Sequence, residues 1–112
     1  METTRQSKVS RLIQKDLSDI FQKAGREITL GKMVSVTVVR VSPDLSVARI
    51  YLSVFPPENS AGFITNLQPF IRSIRMELGK RVRHQLRIVP ELAFFIDDSM
   101  DYADRIDQLL KP

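Results

Sequence analysis

The chain has no cysteine, no tryptophan, one histidine and four glycines in 112 residues. Without cysteine there is no disulfide framework, no thiolate chemistry and no thiolate-bound zinc, a composition compatible with a reducing cytosol. A lone histidine, His84, excludes a His pair or cluster as a metal site and leaves imidazole catalysis without visible partners. Gly25, Gly31, Gly62 and Gly79 never stand three apart, so there is no Gly-x-x-Gly loop. No apolar run approaches the roughly 20 residues of a membrane span or the apolar core of a signal peptide, and the start from Met1 to Lys8 is polar. A soluble cytoplasmic protein without internal repeats is the expectation.

Charge is what the chain has, and it is unevenly placed. The formal net charge is +4 and the pI about 9.8. Between Phe70 and Val89 six cations, Arg72, Arg75, Lys80, Arg81, Arg83 and Arg87, surround Glu77 as the only carboxylate. From Asp97 to Pro112 five aspartates outnumber Arg105 and Lys111. Such polarity points to a nucleic acid or another polyanion on one face, and says little about fold. The length suits a single domain over residues 1–112, with order fading at about 1–6 and 108–112, and 43% hydrophobic residues suffice for a core.

Val9, Leu12, Ile13, Leu17, Ile20, Phe21 and Ala24 recur at spacings of three and four, which predicts an amphipathic helix with Ser7 as its N-cap. Lys8, Arg11 and Lys15 form a basic ridge beside that stripe. Residues Met33 to Val41 and Ser46 to Phe55 read as two strands joined at Ser42-Pro43-Asp44-Leu45, with Ala48, Ile50, Leu52 and Val54 facing one way and Val47, Arg49, Tyr51 and Ser53 the other. A further helical stripe runs Phe63, Ile64, Leu67, Phe70, Ile71, Ile74, Leu78, and Pro69 within it predicts a bend. Gly79 lies between this stripe and a shorter one at Val82 and Leu86, a candidate kink between two helices. Leu92 to Ile96 reads as a third strand and Tyr102, Ile106, Leu109 and Leu110 as the apolar side of a last short helix.

The predicted order αββααβ is that of a type II KH domain. The chain resembles bacterial ribosome-binding factor A over nearly its full length, on three pieces taken together: Val41 to Val54 (Val-Ser-Pro-Asp-Leu-Ser-Val-Ala-Arg-Ile-Tyr-Leu-Ser-Val), Leu86 to Phe95 (Leu-Arg-Ile-Val-Pro-Glu-Leu-Ala-Phe-Phe), and the Asp-Asp-Ser tail with Arg105-Ile106-Asp107 and Leu109-Leu110. The resemblance implies an α+β, KH-like fold, a three-stranded sheet covered on one face by helices, with a kinked helix pair in place of the Gly-x-x-Gly loop. It places the hinge at Gly79, although Glu77 stands where the family often has alanine. It implies a non-enzymatic factor that binds the immature small (30S) ribosomal subunit through 16S rRNA and promotes late maturation and 5′-end processing, notably in the cold.

An ordinary KH domain clamps single-stranded nucleotides with its glycine loop; without one, arginines and lysines on helices must contact phosphates and grooves of structured RNA. The candidate RNA-binding residues are therefore Lys8, Arg11, Lys15, Arg72, Arg75, Lys80, Arg81, Arg83 and Arg87, with His84 as an accessory. Arg40 and Arg49 flank the hairpin turn, where strand-surface salt bridges are the plainer reading. Phe94 and Phe95 read as core. Asp97, Asp98, Asp101, Asp104 and Asp107 lack calcium-loop spacing, and capping of the last helix accounts for their start more simply. The expected protein is a monomer with no metal, cofactor, membrane or small-molecule substrate. Two rivals remain: a KH-like module whose basic face binds an acidic protein, and a hydrolase or nuclease using the aspartates, for which the sequence supplies no nucleophile or base.

Overall fold

The computed structural model describes residues 3–97. Helix α1 spans Thr4–Lys23, followed by a single turn α2 (Arg26–Thr29), strands β1 (Met33–Val41) and β2 (Val47–Phe55), helix α3 (Ser60–Leu67), a 3-10 turn (Gln68–Phe70), helix α4 (Ile71–Val82) and strand β3 (Glu91–Ile96). The order matches the expectation except for α2, which is too short to leave a periodic signature.

The first helix starts earlier than Ser7. Thr3 and Gln6 form a capping box: Thr3 Oγ1 accepts from the Gln6 amide at 3.1 Å and Gln6 Oε1 accepts from the Thr3 amide at 2.8 Å. Gln6 is buried and its Nε2 also donates to the Val41 carbonyl at 2.9 Å, which fastens the helix start to the sheet. Residues 4–6, expected at the edge of order, are thus helical. The next reversal uses left-handed backbone at Leu30 (φ 57°) and Gly31 (φ 75°) to turn the chain into β1.

The sheet order is β1-β2-β3, with β1 antiparallel and β3 parallel to the central β2. A parallel neighbour needs a crossover, which α3 and α4 supply. The alternation of β2 is the expected one: Ala48, Ile50, Leu52 and Val54 are buried, while Val47 and Arg49 are exposed. Ile13 and Leu17 of α1, Ile50 and Leu52 of β2, Phe63 and Leu67 of α3, and Leu78 and Val82 of α4 are fully buried between the helices and this face. Each such side chain contributes about 1.5–3 kcal/mol of burial free energy, so this layer holds the helices in place. Phe94 joins it, meeting Phe21 edge-to-face at 6.0 Å. Phe95 departs from the core reading: it points to the other sheet face, 43% exposed, and stacks on Tyr51 at 5.4 Å.

The bend in the helix pair falls at Pro69, in the 3-10 turn between α3 and α4. Gly79, by contrast, lies inside α4, and no helix boundary falls there. No second helix follows among the described residues; α4 ends at Val82, whose carbonyl accepts from the Gln85 and Leu86 amides at 2.8 and 2.9 Å. The neighbour of Gly79 is the loop that follows α4: a Cβ at Gly79 would stand 3.3 Å from Val89 Cγ2, a tight contact. A small residue there lets the 86–90 loop pack against the helix. The predicted C-terminal helix and Asp98, Asp101, Asp104 and Asp107 lie outside the described residues; Asp97 accepts from Thr37 Oγ1 at 2.6 Å. Among the described residues no helix is long and apolar enough to cross a membrane.

Candidate nucleic-acid interface

Because α1 turns Val9, Ile13 and Leu17 to the sheet, its opposite side carries Lys8, Arg11 and Lys15, all exposed. Helix α4 does the same with Ile74, Leu78 and Val82 inside and Arg72 and Lys80 outside. The turn after it exposes Arg83 and His84, and the loop exposes Arg87. Arg83 Nε donates to His84 Nε2 at 3.4 Å, which keeps these two side chains together. Among the described residues, Lys8, Arg11, Lys15, Arg72, Lys80, Arg83 and Arg87 form no ion pair. The two helices thus present unneutralised cations on the outer face of one layer.

Arg81 and Arg75 play other parts. Arg81 Nη1 donates to Asp19 Oδ2 at 2.7 Å and stands 3.8 Å from Asp16, while its Nε lies 3.7 Å from Glu77. That hydrogen bond, followed by one from Lys23, holds the Asp19 carboxyl below its ordinary range, and the same contact with Asp19 raises the Arg81 pKa. Arg81 is therefore a tie between α4 and α1. Arg75 donates from Nη2 to the Val89 carbonyl at 2.6 Å and from Nε to the Pro90 carbonyl at 3.0 Å, bracing the loop before β3.

Arg40 and Arg49 are directly opposed across β1 and β2, both exposed, and neither forms an ion pair among the described residues. They stand with Tyr51 and Phe95 on the sheet face away from the helices, so the salt-bridge reading of these arginines is not met among the described residues. Sequence reasoning passed over Arg5. It is exposed at the start of α1 and lines, with Lys8 and Arg87, a groove of about 590 Å³. The groove is built from three distant segments, and no local pattern announces it.

Among the described residues no group of His, Asp or Glu is arranged to hold a metal ion. What the surface offers is point charges and planar guanidinium forks on a rigid support, the means by which proteins grip phosphates without reading base sequence.

Known proteins resemble this chain over nearly its whole length. Residues 5–110 match the family model described as ribosome-binding factor A. The chain is 44% identical over 110 residues to ribosome-binding factor A of Cytophaga hutchinsonii, covering 98% of this chain and 83% of that protein. The crystal structure of ribosome-binding factor A from Thermus thermophilus superposes with a TM-score of 0.69 at 24% identity, over 81% of this chain and 93% of the other. A Thermus thermophilus ribosome-binding factor A homology model, fitted into a cryo-EM map of a 30S complex of that protein, gives a TM-score of 0.65 at 23% identity over 88% and 97%. These structures share the KH-like α+β fold.

Proposed function

The chain belongs to the ribosome-binding factor A family, and on that premise we propose that it binds the immature small ribosomal subunit through 16S rRNA, using the outer face of α1, α4 and the turn that follows. The observation that carries this reading is the set of exposed cations without ion-pair partners among the described residues: Lys8, Arg11, Lys15, Arg72, Lys80, Arg83 and Arg87. His84 sits among them as an accessory, and Arg75 and Arg81 support the face from within. Phosphate contacts of this kind supply affinity by counterion release and fix orientation on the RNA.

The proposed action is by binding alone, as a monomer in the cytoplasm and with no cofactor. A ligand shifts RNA between conformations only by preferring one of them, so the protein favours a late-maturation form of the subunit in which the 5′ end of 16S rRNA becomes accessible for processing. The effect is largest in the cold, where misfolded RNA helices persist. Capture of the tagged protein from lysate before and after nuclease digestion tests this against an acidic protein partner. Recovery of small-subunit RNA, lost with its associated proteins on digestion, is expected; a single protein partner that survives digestion would favour the rival reading.

A further inference from the structure

We infer that the groove between the start of α1, the β1–β2 turn and the loop after α4 receives one unstacked nucleotide of the bound RNA, its base inside and its flanking phosphates on the cationic rim. This rests on the RNA-binding reading above and adds a site to it. The groove, about 590 Å³, falls within the roughly 300–1,000 Å³ of small-ligand pockets. Its wall is apolar, built by Leu12, Leu45, Leu86 and Ile88, and Ile88 is 76% exposed. Its rim carries Arg5, Lys8 and Arg87, none of them ion-paired among the described residues. An apolar slot bordered by three free cations suits a ligand with a flat, weakly polar body and anionic flanks.

Asp44 sets the orientation. It is among the residues that line the groove, and its carboxylate is held ionised by hydrogen bonds from Ser42 Oγ and Ser46 Oγ at 2.7 Å each and from the Ser46 amide at 3.1 Å. A phosphate inside would meet that charge, whereas amino and imino groups of a base can donate to it. The phosphates therefore belong at the rim, where the groove runs into the cationic helical face through Lys8.

The groove is shaped before any ligand arrives. The Ser42–Asp44–Ser46 network fixes one wall. Arg75 holds the loop that carries Ile88 by the Val89 and Pro90 carbonyls, and the Glu91 amide donates to the Ser46 carbonyl at 2.9 Å, joining loop to turn. A preformed slot spares the ordering cost of binding. Unstacked bases in loops and bulges are the usual targets of proteins that must recognise otherwise uniform A-form RNA.

The test uses two RNA hairpins of equal stem length, one fully paired and one with a single bulged 2-aminopurine, titrated with the intact protein. The bulged RNA should bind about fivefold tighter or more, a difference of about 1 kcal/mol, with a change in 2-aminopurine fluorescence. Ile88→Ser, a change at an exposed position, should remove that preference and leave binding of the paired hairpin as it was. Equal affinity for both hairpins, or a preference that survives Ile88→Ser, would overturn the groove proposal while leaving the cationic face intact. Failure to bind either hairpin would overturn both.

Discussion

Arg81 Nη1 donates to Asp19 Oδ2 at 2.7 Å, so this arginine of the cationic helix α4 fastens it to α1. Its neighbour Arg83 is exposed and has no carboxylate partner among the described residues. The two arginines should therefore separate stability from binding. Arg81→Glu places a fourth carboxylate beside Asp16, Asp19 and Glu77, and should lower Tm by several degrees. Arg83→Glu should leave Tm unchanged and weaken RNA binding, with a slope of log K against log salt smaller by about 1 to 2. Thermal unfolding and salt-dependent binding of each variant check this; a stable Arg81→Glu protein would refute the tie.

Arg75 makes a second separation. Its two hydrogen bonds to Val89 and Pro90 hold the loop that leads into β3. Arg75→Met keeps the aliphatic stem and leaves both carbonyls without this donor, which should cost about 1–3 kcal/mol. Faster amide hydrogen exchange should be confined to the 86–91 loop and the β3 edge. Arg75→Lys should recover only part of the loss, since an ammonium cannot reproduce the planar fork.

Gly79 distinguishes a hinge from a packing position. A glycine inside a continuous helix costs about 1 kcal/mol relative to alanine, while a Cβ there stands 3.3 Å from Val89 Cγ2 and asks that side chain to give by a few tenths of an ångström. Val89 is in a loop and half-buried, so the two effects nearly offset. Gly79→Ala should leave Tm within a few degrees of wild type and RNA binding intact, whereas Gly79→Leu should displace the loop and destabilise the protein. Loss of RNA binding in a stable Gly79→Ala protein would favour the hinge.

The legible parts of the fold were those with a period. The alternation of β2, the stripe of α1 and the bend at Pro69 follow from side-chain spacing and from the missing amide of proline. Where spacing was silent, competing chemistry decided: Thr3 and Gln6 cap α1 reciprocally, so the helix begins before Ser7. The cationic face was legible as a charge count. Its division was not, because whether an arginine meets solvent, a carboxylate or a carbonyl depends on residues far away in sequence, as Arg81 with Asp19 and Arg75 with Pro90 both show. Phe94 and Phe95, adjacent and identical, land on opposite sheet faces for the same reason that β2 alternates.

The β1–β2 turn should report acidity directly. Hydrogen bonds from Ser42 and then Ser46 lower the Asp44 pKa to about 2, against an unfolded value near 3.9. Between these values the unfolded chain binds more protons, so the stability this carboxylate contributes is fully present above about pH 4 and is lost as pH falls towards 2. Chemical shifts of the Ser46 amide should titrate with the folded midpoint. Asp44→Asn should abolish that titration; a midpoint near 4 in the wild type would show that the turn network does not hold in solution.

The central claim, that the outer face of α1 and α4 docks the protein on small-subunit RNA, is tested most directly by sedimentation with purified immature small subunits across a salt series. Wild type should co-sediment at low salt and dissociate progressively as salt rises, while the Lys80→Glu/Arg83→Glu variant, folded by circular dichroism, should be lost from the particle at salt concentrations where wild type is still bound. Co-sedimentation of that variant indistinguishable from wild type at every salt concentration would contradict the account.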